Sequence, residues 1–113
     1  MSTASRFMSA TTLIGDNIHN MQGESLGDLK EIMLNTSTGE VAYAVVSYGG
    51  ILGLGDKLFA VPWKSFTIDY ANHKLVLNVS KDRLKDAPGF DKDNWPNFAD
   101  PAFATSLGSY YSG

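Results

Sequence analysis

The side chains in this sequence that could do chemistry are few and do not form a known constellation. The two histidines, His19 and His73, lie far apart, and neither belongs to a pattern of ligand spacing. A protein metal site needs several convergent donors. There is no cysteine, which removes thiolate ligands, disulfides and cysteine nucleophiles together. The sequence therefore predicts no metal site at the histidines.

A glycine-rich run from Gly49 to Asp56 is the first feature that suggests more than a connection. A phosphate-binding P-loop ends in Gly-Lys followed by Ser or Thr, whereas here Gly55 is followed by Asp56. The run carries three apolar side chains, Ile51, Leu52 and Leu54. We expect a mobile loop or one that contacts a partner.

Two further patterns are too incomplete to indicate an activity. Asp91, Asp93 and Asn94 resemble the start of a calcium loop, but Trp95 and Pro96 occupy positions that need an oxygen ligand and glycine. The sequence also lacks the Gly-x-Ser-x-Gly motif of hydrolases, and neither histidine has the context of a catalytic base. We expect a non-enzyme with no catalytic residues, no metal and no cofactor.

Composition and charge favour a small globular protein. Hydrophobic residues make up 43% of the 113 residues and charged residues 19%, a balance that supports one folded domain. The net charge is −3 and the cations are scattered, which argues against direct nucleic-acid binding. No apolar run is long enough for a secretory signal or a membrane span, so we expect a cytoplasmic protein without membrane insertion.

The elements that would position these residues are mainly short strands. The segment Leu13 to His19 predicts a strand before a turn. Leu26 to Leu34 fits both helical and strand spacing, and we favour a strand with a bulge near Lys30, because Gly27 weakens a helix. Val41 to Tyr48 is rich in β-branched and aromatic residues on both faces, which predicts a central strand.

The following segments complete the predicted sheet. Lys57 to Val61 predicts a strand that ends at Pro62, and Phe66 to Tyr70 with Leu75 to Val79 predicts a hairpin. A short helix is expected over Lys81 to Asp86, with Ser80 as its cap. Six short strands predict an all-β fold, a closed or nearly closed antiparallel barrel.

The C-terminal tail is unusually aromatic. It lacks an evident period, and we expect an extended tail that packs on its own barrel or on that of a second copy, in a homodimer. The chain thus divides into a flexible leader over residues 1–10, the barrel over 11–80, and the short helix with the tail over 81–113. The six large rings of the tail are Phe90, Trp95, Phe98, Phe103, Tyr110 and Tyr111.

Ordered motifs in the chain resemble those of the PRC-barrel family. They are Leu13-Ile14-Gly15, Gln22 to Gly27, Thr38 to Val46, and Lys57 to Trp63. The segment Ala87 to Pro96 is similar to the extension of small bacterial stand-alone members. The resemblance implies a small β-barrel like the cytoplasmic domain of the photosynthetic reaction centre H subunit and the second domain of the ribosome maturation factor. It brings no catalytic residue.

The resemblance also implies roles for individual residues. Protein contact is the common theme of the family, so we expect an adaptor that binds an unidentified protein. The glycines at 15, 23, 27 and 39 would serve turns or close backbone approach. Expected core residues are Val41, Tyr43, Val45, Phe59, Val61 and Leu77.

Trp63 is the most ambiguous of the candidate contact residues. It either plugs one end of the barrel or belongs to the contact surface, and the structural role is favoured because most tryptophans are largely buried. A small-ligand carrier that uses the barrel mouth is the main alternative function, and a factor associated with RNA processing is the next. The candidate partner-binding residues are Tyr48, Ile51, Leu52, Leu54, Trp63, Phe90, Trp95 and Phe98.

Overall fold

The computed structural model describes residues 7–48, 57–72 and 74–112. Six strands form one sheet, and helices lie before and after it. In chain order the elements are α1 Ala10–Leu13, β1 Asn17–His19, β2 Ser25–Asn35, β3 Glu40–Tyr48, β4 Lys57–Pro62, a 3₁₀ turn Trp63–Ser65, β5 Phe66–Asp69, β6 Lys74–Leu77, α2 Lys81–Lys85 and α3 Pro101–Ser112.

The sheet is mixed, and its strand order is β4-β3-β2-β1-β6-β5. Neighbouring strands are antiparallel except β1 and β6, which run parallel with His19 opposite Val76. The prediction of a purely antiparallel sheet was therefore wrong. Tight turns impose antiparallel pairing on consecutive strands, but β1 and β6 are joined through the whole sheet, so no turn fixes their relative direction.

The sheet is open, so the prediction of a closed barrel was also wrong. Its two edge strands, β4 and β5, are consecutive in sequence but are not paired with each other. Pro62 at the end of β4 has no N–H for a ladder, and the chain then turns through Trp63–Ser65. Phe90 instead pairs with Leu58 on β4, through backbone hydrogen bonds of 2.9 and 2.8 Å. This bridge partly covers the β4 edge.

The predicted bulge in β2 is confirmed, because the register with β3 shifts between Leu29 and Glu31. Gly27 shows why β2 needs a glycine: its φ is +105°, and a Cβ there would lie 2.2 Å from the carbonyl oxygen of Ser47. The first predicted strand is shorter than expected. Leu13 ends a helical turn, and the strand begins only at Asn17.

The inner face of the sheet carries the main core. Ala44 and Val46 of β3 lie opposite Val61 and Phe59 of β4, and all four are buried. Leu84 of α2 is also fully buried against this face. Other members of the core are Leu13, Ile18, Leu26, Leu29, Leu75, Leu77 and Ala87.

The outer face of β3 and β4 is buried as well. Val45 lies opposite Ala60, and both are buried, as is Leu58. Residues 90–112, which we call the C-terminal segment, pack against this face: the ring of Tyr43 lies 5.5 Å from that of Phe98, and α3 contacts β4. This explains why the sequence of β3 is apolar on both faces.

The prediction of an extended tail was wrong for residues 101–112, which form α3. Asp100 begins the helix, since its side chain accepts a hydrogen bond from the Ala102 N–H at 2.9 Å, and Pro101 fits the first helical position. In the described part of the chain, no helix has the length and apolar character needed to cross a membrane.

Candidate functional site

An apolar groove of about 260 Å³ lies where the N-terminal segment, the sheet and the turn after β4 meet. The eight described side chains that line it are all apolar, so within the described residues it offers no charge or side-chain hydroxyl to orient a polar substrate. From the N-terminal segment they are Phe7, Met8, Ala10 and Leu13. From the sheet and the turn they are Ile32, Val41, Trp63 and Ile68. We call this the Trp63 groove.

Trp63 combines the two roles that the sequence left open. Its ring packs against the inner core and lies 6.1 Å from the ring of Phe66. The side chain is nevertheless only partly buried and lines the groove. The 3₁₀ turn after Pro62 places it there, between the two open edges of the sheet.

Two more shallow grooves continue from the Trp63 groove around the start of β3. The second, of about 260 Å³, shares Val41 and Trp63 with the first and is bordered by Ala104 and Gly108 of α3. The third, of about 290 Å³, shares Tyr43 with the second and reaches Phe98. Partly exposed apolar surface therefore extends from the N-terminal segment to the C-terminal segment.

The structure brings three predicted contact residues together, but not as a free surface. Phe90, Trp95 and Phe98 form one cluster with ring centroids 5.1 to 6.5 Å apart. The cluster continues to Tyr43 and Phe103. Its rings cover the outer face of the sheet.

Trp95 is the most exposed ring of this cluster, with 40% of its surface accessible. Its indole N–H donates to the carbonyl oxygen of Lys92 at 2.8 Å.

The remaining predicted contact residues lie elsewhere. Tyr48, at the end of β3, packs against the inner core. Ile51, Leu52 and Leu54 lie outside the described residues. The structure therefore places Trp63 and Tyr48 outside the ring cluster of the C-terminal segment.

Two expected core residues take part in the grooves. Val41 and Tyr43 are only half-buried and line them, whereas Val45, Phe59, Val61 and Leu77 are buried as expected. Val41 was expected in the core because strand periodicity does not show where a face of the sheet is left uncovered.

Asn20 is a structural residue in the turn that was predicted after the first strand. It is 3% exposed. Its amide donates to Glu24 Oε1 at 2.7 Å and to the Val79 carbonyl at 3.0 Å. Its side-chain oxygen accepts from the N–H groups of Gln22 and Glu24 at 3.0 and 2.9 Å. Asn20 thereby ties the β1–β2 turn to the end of β6.

A second polar arrangement joins α2 to α3. The Arg83 guanidinium lies 4.4 Å from the ring centroid of Tyr110 and donates to the Tyr110 carbonyl, while the Tyr110 hydroxyl donates to the Arg83 carbonyl. The adjacent Tyr111 hydroxyl is buried and has no hydrogen-bond partner among the described residues. Burial, with a smaller contribution from Tyr110, raises the pKa of Tyr111 well above its usual range.

The described residues form no cluster of three or more His, Cys, Asp or Glu side chains that could hold a metal ion. His19 is half-buried on β1, and His73 lies outside the described residues.

Comparison with known proteins agrees with this architecture. A search of curated proteins found no match. The sequence model of the PRC-barrel domain matches residues 5–84, well over half of the 113 residues. That range includes all six strands, the Trp63 groove and most of α2, and it ends before the C-terminal segment. The chain therefore belongs to the PRC-barrel domain family.

Proposed function

We propose that this protein is a non-enzymatic interaction module that takes apolar side chains of a protein partner into the Trp63 groove. The observation that carries the proposal is that all the described side chains lining that groove are apolar, with a partly exposed tryptophan among them. Tryptophan is enriched among the residues that dominate protein interfaces. The family is also of a protein-interaction type.

The alternative of a small-ligand carrier has less support. Small-molecule sites usually occupy about 300 to 1,000 Å³ and include a few placed polar groups. The Trp63 groove lies just below this range, at about 260 Å³, and its described lining side chains are all apolar. An RNA-linked role is disfavoured by the net charge of −3. We also propose that the protein acts in the cytoplasm, and the lack of cysteine is consistent with a reducing compartment.

Affinity capture with the full chain tests this function. Wild type, Trp63→Ala, Trp63→Phe and Trp95→Ala would be used as baits in an extract of the source organism. Trp95 is the matched control, because it is a partly exposed tryptophan outside the Trp63 groove. We expect Trp63→Ala to lower the affinity for a specific protein roughly tenfold or more, and Trp63→Phe to lower it less.

Two results would contradict the proposal. One is undiminished capture of every specific protein by a folded Trp63→Ala variant. The other is a small organic molecule that co-purifies in stoichiometric amount in native mass spectrometry and is lost from Trp63→Ala. Thermal unfolding of each variant controls for misfolding.

A further inference from the structure

The outer face of β3 and β4 is covered by residues that follow the family domain. The match to the family ends at residue 84, and the C-terminal segment begins at Phe90. We propose that this segment exchanges between two copies of the chain, so that each copy covers the outer face of the other in a dimer. The proposal concerns a different face from the Trp63 groove and does not depend on the proposed function.

The segment and the face it covers are complementary in detail. The Tyr43 ring lies 5.5 Å from that of Phe98 and 6.0 Å from that of Phe103. Phe90 exchanges two backbone hydrogen bonds with Leu58 on β4. Leu107 of α3 is only 1% exposed. In a second copy, the same segment offers the same contacts without any new surface.

Regular structure within the segment is limited to one short helix. Residues 91–100 form no helix or strand. α3 contains Gly108 and three serines, all poor helix formers, and it has only twelve residues. Isolated helices of this length are marginal in water. Its structure therefore depends on packing, and it should open at a lower free energy than the sheet.

Opening would expose two matching apolar surfaces at once. One is the outer face of the sheet, with Val45, Leu58 and Ala60, which are buried when the segment is in place. The other is the ring cluster of the segment. Since large exposed apolar patches favour association, an opened copy would be stabilised by closing on another opened copy.

The connection between the two parts has the character of a hinge. Leu84 and Ala87 are buried in the inner core and fix α2, while Phe90 already belongs to the covered face. A change of direction therefore falls on the exposed Pro88, because Gly89 already lies against β4, where a Cβ would meet the Leu58 carbonyl oxygen at 2.9 Å. Short, restricted hinges favour exchange between copies. The hydrogen bonds and the stacking between Arg83 and Tyr110 would then join different copies.

Cross-linking of the full chain tests the exchange directly, since the chain has no cysteine of its own. Ala42 of β3 and Ala99 of the segment line the same groove. Ala42→Cys chains and Ala99→Cys chains, distinguished by a mass label, would be mixed and treated with a short bismaleimide. The control is the product between two Ala42→Cys chains.

If the segments exchange, the product between an Ala42→Cys chain and an Ala99→Cys chain should exceed the product between two Ala42→Cys chains by at least roughly tenfold. The reason is that two cysteines held together in the dimer have an effective concentration of about millimolar. Light scattering of the unclamped protein should show a dimer, and the double variant Ala42→Cys/Ala99→Cys, cross-linked within one chain at low concentration, should not form it. The proposal is overturned if the mixed product stays at the control level at every concentration. It is equally overturned if clamped chains dimerise as readily as wild type.

Discussion

Asn20 connects parts of the chain that are distant in sequence. Its single buried amide accepts hydrogen bonds from two backbone N–H groups of the β1–β2 turn and donates one to the carbonyl of Val79, after β6. We expect Asn20→Ala to lower the free energy of unfolding by roughly 2 to 4 kcal/mol, because it leaves several polar groups unpaired. Urea unfolding measures this. The control is Gln22→Ala in the same turn, whose exposed side chain should matter by less than about 0.5 kcal/mol. Equal losses would contradict the role of Asn20.

A comparison of Gly27 with Gly23 distinguishes two reasons why replacing a glycine lowers stability, namely backbone strain and steric overlap. Both have positive φ, +105° and +83°, but a Cβ would meet the Ser47 carbonyl only at Gly27 and open space at Gly23. Gly23→Ala should cost about 1 to 2 kcal/mol from backbone strain alone. Gly27→Ala should cost roughly 3 kcal/mol or more, because β2 and β3 must also separate. Thermal unfolding of the two variants compares them, and similar losses would refute the close approach.

Tyr111 gives a prediction about alkaline pH. Its pKa is raised from 10.0 in the folded chain, so the unfolded chain loses this proton first. Stability from this residue is present below about pH 10 and falls as the pH rises above it. Tyr111→Phe should weaken that fall and leave stability at neutral pH unchanged or higher by about 1 kcal/mol, since it removes an unpaired buried hydroxyl.

Tyr110→Phe is the matched control for Tyr111. It removes a hydroxyl that donates to the Arg83 carbonyl, so it should destabilise at neutral pH by about 1 kcal/mol. Denaturant unfolding between pH 7 and pH 11 distinguishes the two variants. A Tyr111→Phe variant that is less stable than Tyr110→Phe at neutral pH would show that the Tyr111 hydroxyl has a partner.

At the scale of elements, the C-terminal segment is a cover whose centre is Phe98. Its ring contacts those of Tyr43, Phe90, Trp95 and Phe103. We expect Phe98→Ala to cost roughly 2 to 4 kcal/mol and to speed amide hydrogen exchange throughout α3.

The matched control for Phe98 is Trp95→Ala. Because 40% of the Trp95 surface is exposed, its loss should cost less than that of Phe98, roughly 1 to 3 kcal/mol. Hydrogen exchange followed by mass spectrometry measures both variants. Unchanged protection of α3 in Phe98→Ala would mean that the ring cluster does not hold the segment in place.

The strands could be predicted from the sequence more fully than α3. Alternation and turn residues indicated β2 to β6, and Ser80 indicated the start of α2, where its side chain caps Arg83. The signals for α3 were also present: Asp100 and Pro101 mark a helix start, and Phe103, Leu107 and Tyr110 have helical spacing. The helical spacing was missed because aromatic residues occur both before and after Asp100. Taken together, they show no regular period.

At the scale of the whole molecule, topology limits what sequence can predict. Local patterns identify β1 and β6, but their parallel pairing joins residues far apart, His19 and Val76, and leaves no local signal. No local signal shows either that β4 and β5 remain unpaired edge strands, although Pro62 indicated where β4 ends. The Trp63 groove lies where the chain crosses from β4 to β5, so its lining depends on tertiary structure. Of its lining residues, Trp63 was predicted as a contact residue from the sequence, whereas Ile32, Val41 and Ile68 were not.

The central claim is that a protein partner enters the Trp63 groove, and site-specific photo-cross-linking tests it most directly. A benzophenone side chain would replace Phe7, which lines the groove and is 91% exposed, or Met21, an apolar control in the β1–β2 turn that is 66% exposed. We predict a cross-link to one specific protein from position 7, none from position 21, and loss of the product in a folded Trp63→Ala background. Equal cross-linking from both positions, or a product that persists without Trp63, would contradict the claim.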